Sequence, residues 1–75
     1  MNSNLLKAKV IAKGFNMQQF ISKVNEKNHY MTIGTFYKKL NGTSEFTRKE
    51  IYRIKKVLSL SPQDIKAIFF EANVA

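Results

Sequence analysis

Residues 31–42 read MTIGTFYKKLNG. The stretch is a short helix written out with both of its ends. Thr32 is a good N-cap, a side-chain oxygen able to accept from the free N–H groups of a first turn. Met31 before the cap and Phe36 after it form a hydrophobic staple. Phe36 and Leu40 recur at helical spacing and face inward. Lys38 and Lys39 fall in the last turn, where cations suit the helix dipole. Gly42 follows, at the place where a left-handed residue ends a helix.

The same pattern recurs along the chain. Asn16, Thr47 and Ser61 are also N-caps, and the flanking pairs Phe15/Phe20, Phe46/Ile51 and Leu60/Ile65 repeat the staple. Asn16 with Gln19, Thr47 with Glu50 and Ser61 with Asp64 have the spacing of a capping box. Pro62 stands at a first helical position, where its missing N–H costs nothing, and Gly14 follows another helix end. Helices are therefore expected over residues 4–13, 17–27, 33–41, 48–58 and 62–72. Little reads as strand. The expected fold is all-α, a compact five-helix domain covering residues 1–75, with Leu6, Val10, Phe20, Val24, Phe36, Leu40, Ile51, Ile54, Leu58, Ile65, Ile68 and Phe69 as its core.

Composition narrows the chemistry. Seventy-five residues make one small domain, marginal on its own core. There is no cysteine and only one histidine, so neither a disulfide nor a zinc site of the usual kind is expected, and no cofactor is implied. No Ser/His/Asp set, paired carboxylates or phosphate-cradling glycine loop stands out, which argues against an enzyme. Thirteen Lys and Arg oppose five Asp and Glu, for a net charge of +8. Twelve of those cations lie between Lys7 and Lys56, so the last helix is comparatively uncharged. Such a body favours an anionic partner. The N-terminal stretch is interrupted by Lys7, Lys9 and Lys13 and lacks the apolar run of a signal peptide. The longest apolar run, residues 67–70, is far below the roughly 20 residues of a membrane span. A cytoplasmic protein without a membrane partner is expected.

The order of parts resembles the Cro/CI-type helix-turn-helix family, and more narrowly the small Cro-like regulators of Gram-positive phages and prophages. The resemblance covers nearly the whole chain. It rests on TFYKKLNG (residues 35–42), SEFTRKEI (44–51) and VLSLSPQDI (57–65) in that order. It implies that the second helix crosses a phosphate backbone while the third lies in the major groove of operator DNA. By position, Ile33, Gly34, Tyr37 and Lys38 would be its exposed residues. Around them Thr32, Thr35, Lys39, Asn41, Thr43, Arg48 and Lys49 furnish charge and short polar groups for phosphate oxygens.

Three features depart from the family pattern. Met17 stands where a phosphate-binding Gln is common, and its sulfur cannot donate a hydrogen bond. Ile33 and Gly34 stand where base-reading side chains are common, and neither can make a bidentate base pairing. The corner between the second and third helices holds residues 25–30, NEKNHY, several too many for the usual turn. Either the second helix runs an extra turn or the corner is a loop.

Two functions fit these residues. One is a Cro-like transcriptional regulator of the lysis–lysogeny switch that binds double-stranded operator DNA. The other is an antirepressor that uses the same fold to bind the DNA-binding domain of a partner CI-type repressor. The second reading gives Met17, Ile33, Gly34 and the inserted His29 and Tyr30 to a protein contact. Phe70 and Val74 fall on a second apolar face of the last helix and suggest a homodimer or heteromer contact. The alternative is that Phe70 tucks into its own core.

Overall fold

A computed structural model describes residues 1–70 of the chain. They form α1 (Ser3–Ala12), α2 (Met17–Val24), α3 (Ile33–Leu40), α4 (Arg48–Leu58) and α5 (Pro62–Ile65), the last continuing into a π turn over Lys66–Phe70. No strand occurs among the described residues.

The capping chemistry sets the helix starts. Asn16 Oδ1 accepts from the Gln19 N–H at 2.8 Å, and Gln19 Oε1 accepts from the Asn16 N–H at 2.9 Å. Thr47 with Glu50 and Ser61 with Asp64 close the same reciprocal pair. At α3 the cap is one-sided, with Thr32 Oγ1 accepting from the Thr35 N–H at 3.1 Å. Each cap contributes about 1 kcal/mol. Asn2 adds a start absent from the sequence reading. Its side chain caps α1 through the Leu5 N–H, and its own N–H donates to the Ile68 carbonyl at 2.7 Å. One residue thus fastens the first helix to the last.

Gly14 and Gly42 both adopt a φ of 85° and close their helices in Schellman fashion. After Gly42 the Thr43 N–H reaches back to the Lys38 carbonyl at 3.0 Å. At the end of α4 the left-handed position falls instead on Ser59, with a φ of 53°. The buried Leu60 behind it bonds back to the Lys55 carbonyl, so burial of the next side chain enforces the turn.

Leu6, Val10, Phe20, Val24, Phe36, Leu40, Ile54, Leu58 and Ile68 are buried as expected. Ile51, Ile65 and Phe69 are only half-buried, the last two packed at the margin of the core. Ile21, Met31 and Leu60 take their places inside, the last two because the residue before a cap is folded under the helix it staples. Aromatic rings link the layers. Phe20 meets Phe36 at 5.4 Å, Phe36 meets Phe46 at 5.8 Å, and Phe46 meets Phe69 edge-on at 5.6 Å.

The corner is a loop, and α2 stops at Val24, short of the expected residue 27. Asn25 explains the stop. Its Oδ1 accepts from the N–H groups of Tyr30 and Met31 at 2.7 and 3.2 Å, while its Nδ2 donates to the Met31 carbonyl at 2.7 Å. A side chain clipping the loop shut competes with continuation of the helix. From α4, Arg53 donates to the Val24 and Lys23 carbonyls at 3.0 and 3.1 Å, satisfying the open end of α2.

The last helix departs from a regular 62–72 span by widening into the π turn after Ile65. Residues 71–72 of that expected helix, and Val74 of the second apolar face, lie outside the described residues.

Candidate nucleic-acid interface

The outer face of α3 is set by which side chains the core takes. Phe36 and Leu40 are buried, so Gly34, Tyr37, Lys38 and Asn41 turn outward together, at i, i+3, i+4 and i+7. All four are exposed, Tyr37 at 41%. Thr32 at the helix start and Thr43 after its end are also exposed, as are Arg48 and Lys49 in the first turn of α4. The Schellman closure at Gly42 ends α3 tightly, and the Lys39–Glu50 pair ties the first turn of α4 to the end of α3. Exposed aromatic, amide and cationic side chains therefore lie on both sides of the α3–α4 junction.

Three expected members of this surface are placed otherwise. Ile33 is half-buried and packs against the core, although position alone suggested exposure. The reason is its phase: Ile33, Phe36 and Leu40 fall on one side of a 3.6-residue turn. Lys39 is turned away from solvent, with only 11% of its side chain exposed, and pairs with Glu50, itself 8% exposed. The same carboxylate accepts from the Thr47 N–H and so cannot leave its cap. Lys39 also lies 5.8 Å from the Phe46 ring. It is a cross-link between α3 and α4 and is withdrawn from the set available to phosphate. Thr35 is half-buried, and its hydroxyl accepts from the Thr32 hydroxyl at 3.0 Å.

The protein-contact set also divides. Met17 and Tyr30 are half-buried against the core, whereas His29 and Gly34 are exposed. Tyr30 is held by its backbone in the Asn25 clip. Gly34 has negative-φ helical backbone, and a Cβ added there would meet only Thr32 Oγ1, at 3.9 Å. No neighbour within the described chain requires the glycine. Phe70 is 68% exposed rather than tucked in. It stands at the rim of a hollow of about 500 Å³, with Met1, Leu40, Phe46, Ile51 and Phe69 among its walls.

Comparison with protein-family models, with curated proteins and with solved structures found no match. The site is defined by its own chemistry.

Electrostatics sharpen it. Glu26 pairs with Lys23 at 3.8 Å, Glu50 with Lys39, and Asp64 with Lys9 at 3.3 Å. The Ser61 backbone N–H holds the Asp64 carboxyl below its ordinary value, helped by the Ser61 hydroxyl and Lys9 against a smaller desolvation effect. Lys38, Arg48 and Lys49 have no carboxylate partner among the described residues. The excess positive charge is thus concentrated in part where α3 is open. Among the described residues no cluster of three or more His, Asp or Glu side chains is placed to hold a metal, and no helix is long and apolar enough to cross a membrane.

Sequence reasoning overlooked Arg53, Asn25 and Tyr52. Arg53 acts 29 and 30 residues away in sequence, beyond the reach of any local pattern. Asn25 closes a loop of five and six residues, a spacing an Asn-led turn makes legible in principle. Tyr52 with Lys56 is a plain i, i+4 pair on the outer side of α4.

Proposed function

We propose that this chain is a small Cro-like transcriptional regulator of a phage or prophage switch, which binds operator DNA by laying α3 in the major groove. The observation that carries this reading is the exposed α3 face of Gly34, Tyr37, Lys38 and Asn41, framed by the unpaired cations of α4. Lys38 suits the acceptors of guanine, and Asn41, at the C-cap of α3, suits a phosphate oxygen. Arg48 and Lys49 supply charge for phosphate, while Thr32 and Thr43 supply hydroxyls. A two-fold dimer, for which Phe70 and the hollow beside it offer a contact, would need its two α3 helices about 34 Å apart, one DNA turn, to meet two half-sites. Phe70→Asp is expected to weaken self-association by sedimentation while helicity by circular dichroism stays unchanged.

The antirepressor reading keeps one specific support. Gly34 offers bare backbone on an exposed helix with no internal need for it, which suits close approach by a partner repressor. Its other residues, Met17, Ile33 and Tyr30, are spent largely on the core.

Fluorescence anisotropy separates the two. Labelled duplexes from the gene's own upstream region are titrated against a scrambled duplex across a salt series. Arg48 and Lys49 at phosphate predict a log–log salt slope of about −2 per copy, with tighter binding to the upstream duplex. Equal weak binding to both duplexes, together with tight binding to the neighbouring repressor, would transfer the function to the second reading.

A further inference from the structure

The outer side of α4 carries a second basic surface that the α3 site uses only at Lys49. Glu50, Ile54 and Leu58 face the core, so Lys49, Tyr52 and Lys56 run along the opposite side at i, i+3 and i+7. All three are exposed, Tyr52 at 58%. The Lys56 ammonium lies 5.4 Å from the Tyr52 ring centre, and the phenol oxygen makes no hydrogen bond to the described residues. Residues 48–56 contain five cations and one carboxylate, Glu50, which is turned inward against Lys39. Arg53 is occupied at the end of α2, leaving the stripe itself purely cationic and phenolic.

We propose that this stripe is a second nucleic-acid contact surface, by which one copy of the chain holds a second stretch of phosphodiester backbone. The inference rests on the DNA-binding reading and extends it. Two ammonium groups on one side of a helix attract phosphate oxygens, and a tyrosine hydroxyl between them donates to one. The start of α4 is tied to α3 by the Lys39–Glu50 pair, and Tyr52 and Lys56 stand about 5 and 11 Å further along α4 from Lys49, away from that tie. Lys49, at the start of α4, is the residue common to both surfaces. A lipid surface is a poorer fit, because the stripe carries no aliphatic side chain to insert. The consequence is bridging: one regulator joins two DNA segments.

The test uses two short duplexes, one bearing a donor dye and one an acceptor, with energy transfer reporting their bridging. Anisotropy on a single duplex is followed in parallel. The parent is expected to bridge. Combined Tyr52→Ser and Lys56→Gln is expected to raise the bridging midpoint about tenfold, lower the salt slope of that step by about one, and leave single-duplex affinity within about threefold. Circular dichroism confirms that the variant folds. Bridging unchanged in the variant would overturn the proposal, since it would then run through the α3 faces of associated copies. Tight single-duplex binding by the parent without bridging would overturn it while sparing the α3 reading. Absence of binding to any duplex would remove both, and retention of poly-glutamate in place of duplex would reassign the stripe to an acidic protein.

Discussion

Lys38 and Lys39 are neighbours in the chain with opposite surroundings. Lys38 stands on the open face of α3 beside Tyr37 and Asn41. Lys39, about 100° further round the helix, is sealed against Glu50 and the Phe46 ring. One is a charge available to a ligand and the other holds two helices together. A net charge of +8 therefore overstates what a partner meets, and the helical phase decides which cations count. The same contrast separates Arg48 from Arg53 on α4, the first exposed and the second capping α2.

The largest effect should come from splitting that pair of lysines. Lys39→Met leaves Glu50 a nearly buried, unpaired carboxylate and should cost about 3 kcal/mol in urea unfolding. Lys38→Met should change stability by no more than about 0.5 kcal/mol. In duplex binding the order reverses, and Lys38→Met alone should cost about 1–3 kcal/mol of the preference for the upstream over the scrambled duplex. Equal stability losses for the two would break the comparison. Next, Arg53→Ala removes two charge-assisted bonds to the α2 carbonyls and should cost about 2 kcal/mol. Amide hydrogen exchange should quicken first at the end of α2 and in the corner loop.

These contacts also mark where reading from the sequence stops. The helix starts at Asn16, Thr32, Thr47 and Ser61 and the ends at Gly14 and Gly42 were legible because caps act within three or four residues. The length of α2, the phase of Ile33 and the pairing of Lys39 were not. Each depends on a partner brought close by folding, such as Glu50, eleven residues on from Lys39. Ser59 was missed for a related reason: its left-handed turn answers to the burial of Leu60 and not to a glycine signal. The candidate site followed the same rule. Tyr37, Lys38, Asn41, Arg48 and Lys49 were legible as outward positions, whereas Ile33 and Lys39 needed the packing to place them.

A smaller effect sharpens the role of the open face. Gly34→Ala should stabilise the fold by about 0.5–1 kcal/mol, because the helix gains propensity and the added Cβ has room. Duplex binding should weaken, since the methyl sits where a ligand approaches. A stabilised variant with unchanged affinity would show that the first turn of α3 stays clear of the DNA.

The smallest effect is at Asp64. Its folded pKa lies below the ordinary value of 3.8, so its contribution is present above that value and is lost as pH falls through the folded pKa. Melting temperature between pH 6 and pH 3 should fall slightly more for the parent than for Asp64→Asn.

The central claim is that the outer face of α3 meets the ligand. Amide chemical-shift mapping on titration with the upstream duplex tests it most directly. The account predicts shifts at Gly34, Tyr37, Lys38, Asn41 and Thr43, continuing into Arg48 and Lys49. Shifts confined to the hollow around Phe46, Phe69 and Phe70, with the α3 amides unmoved, would contradict it.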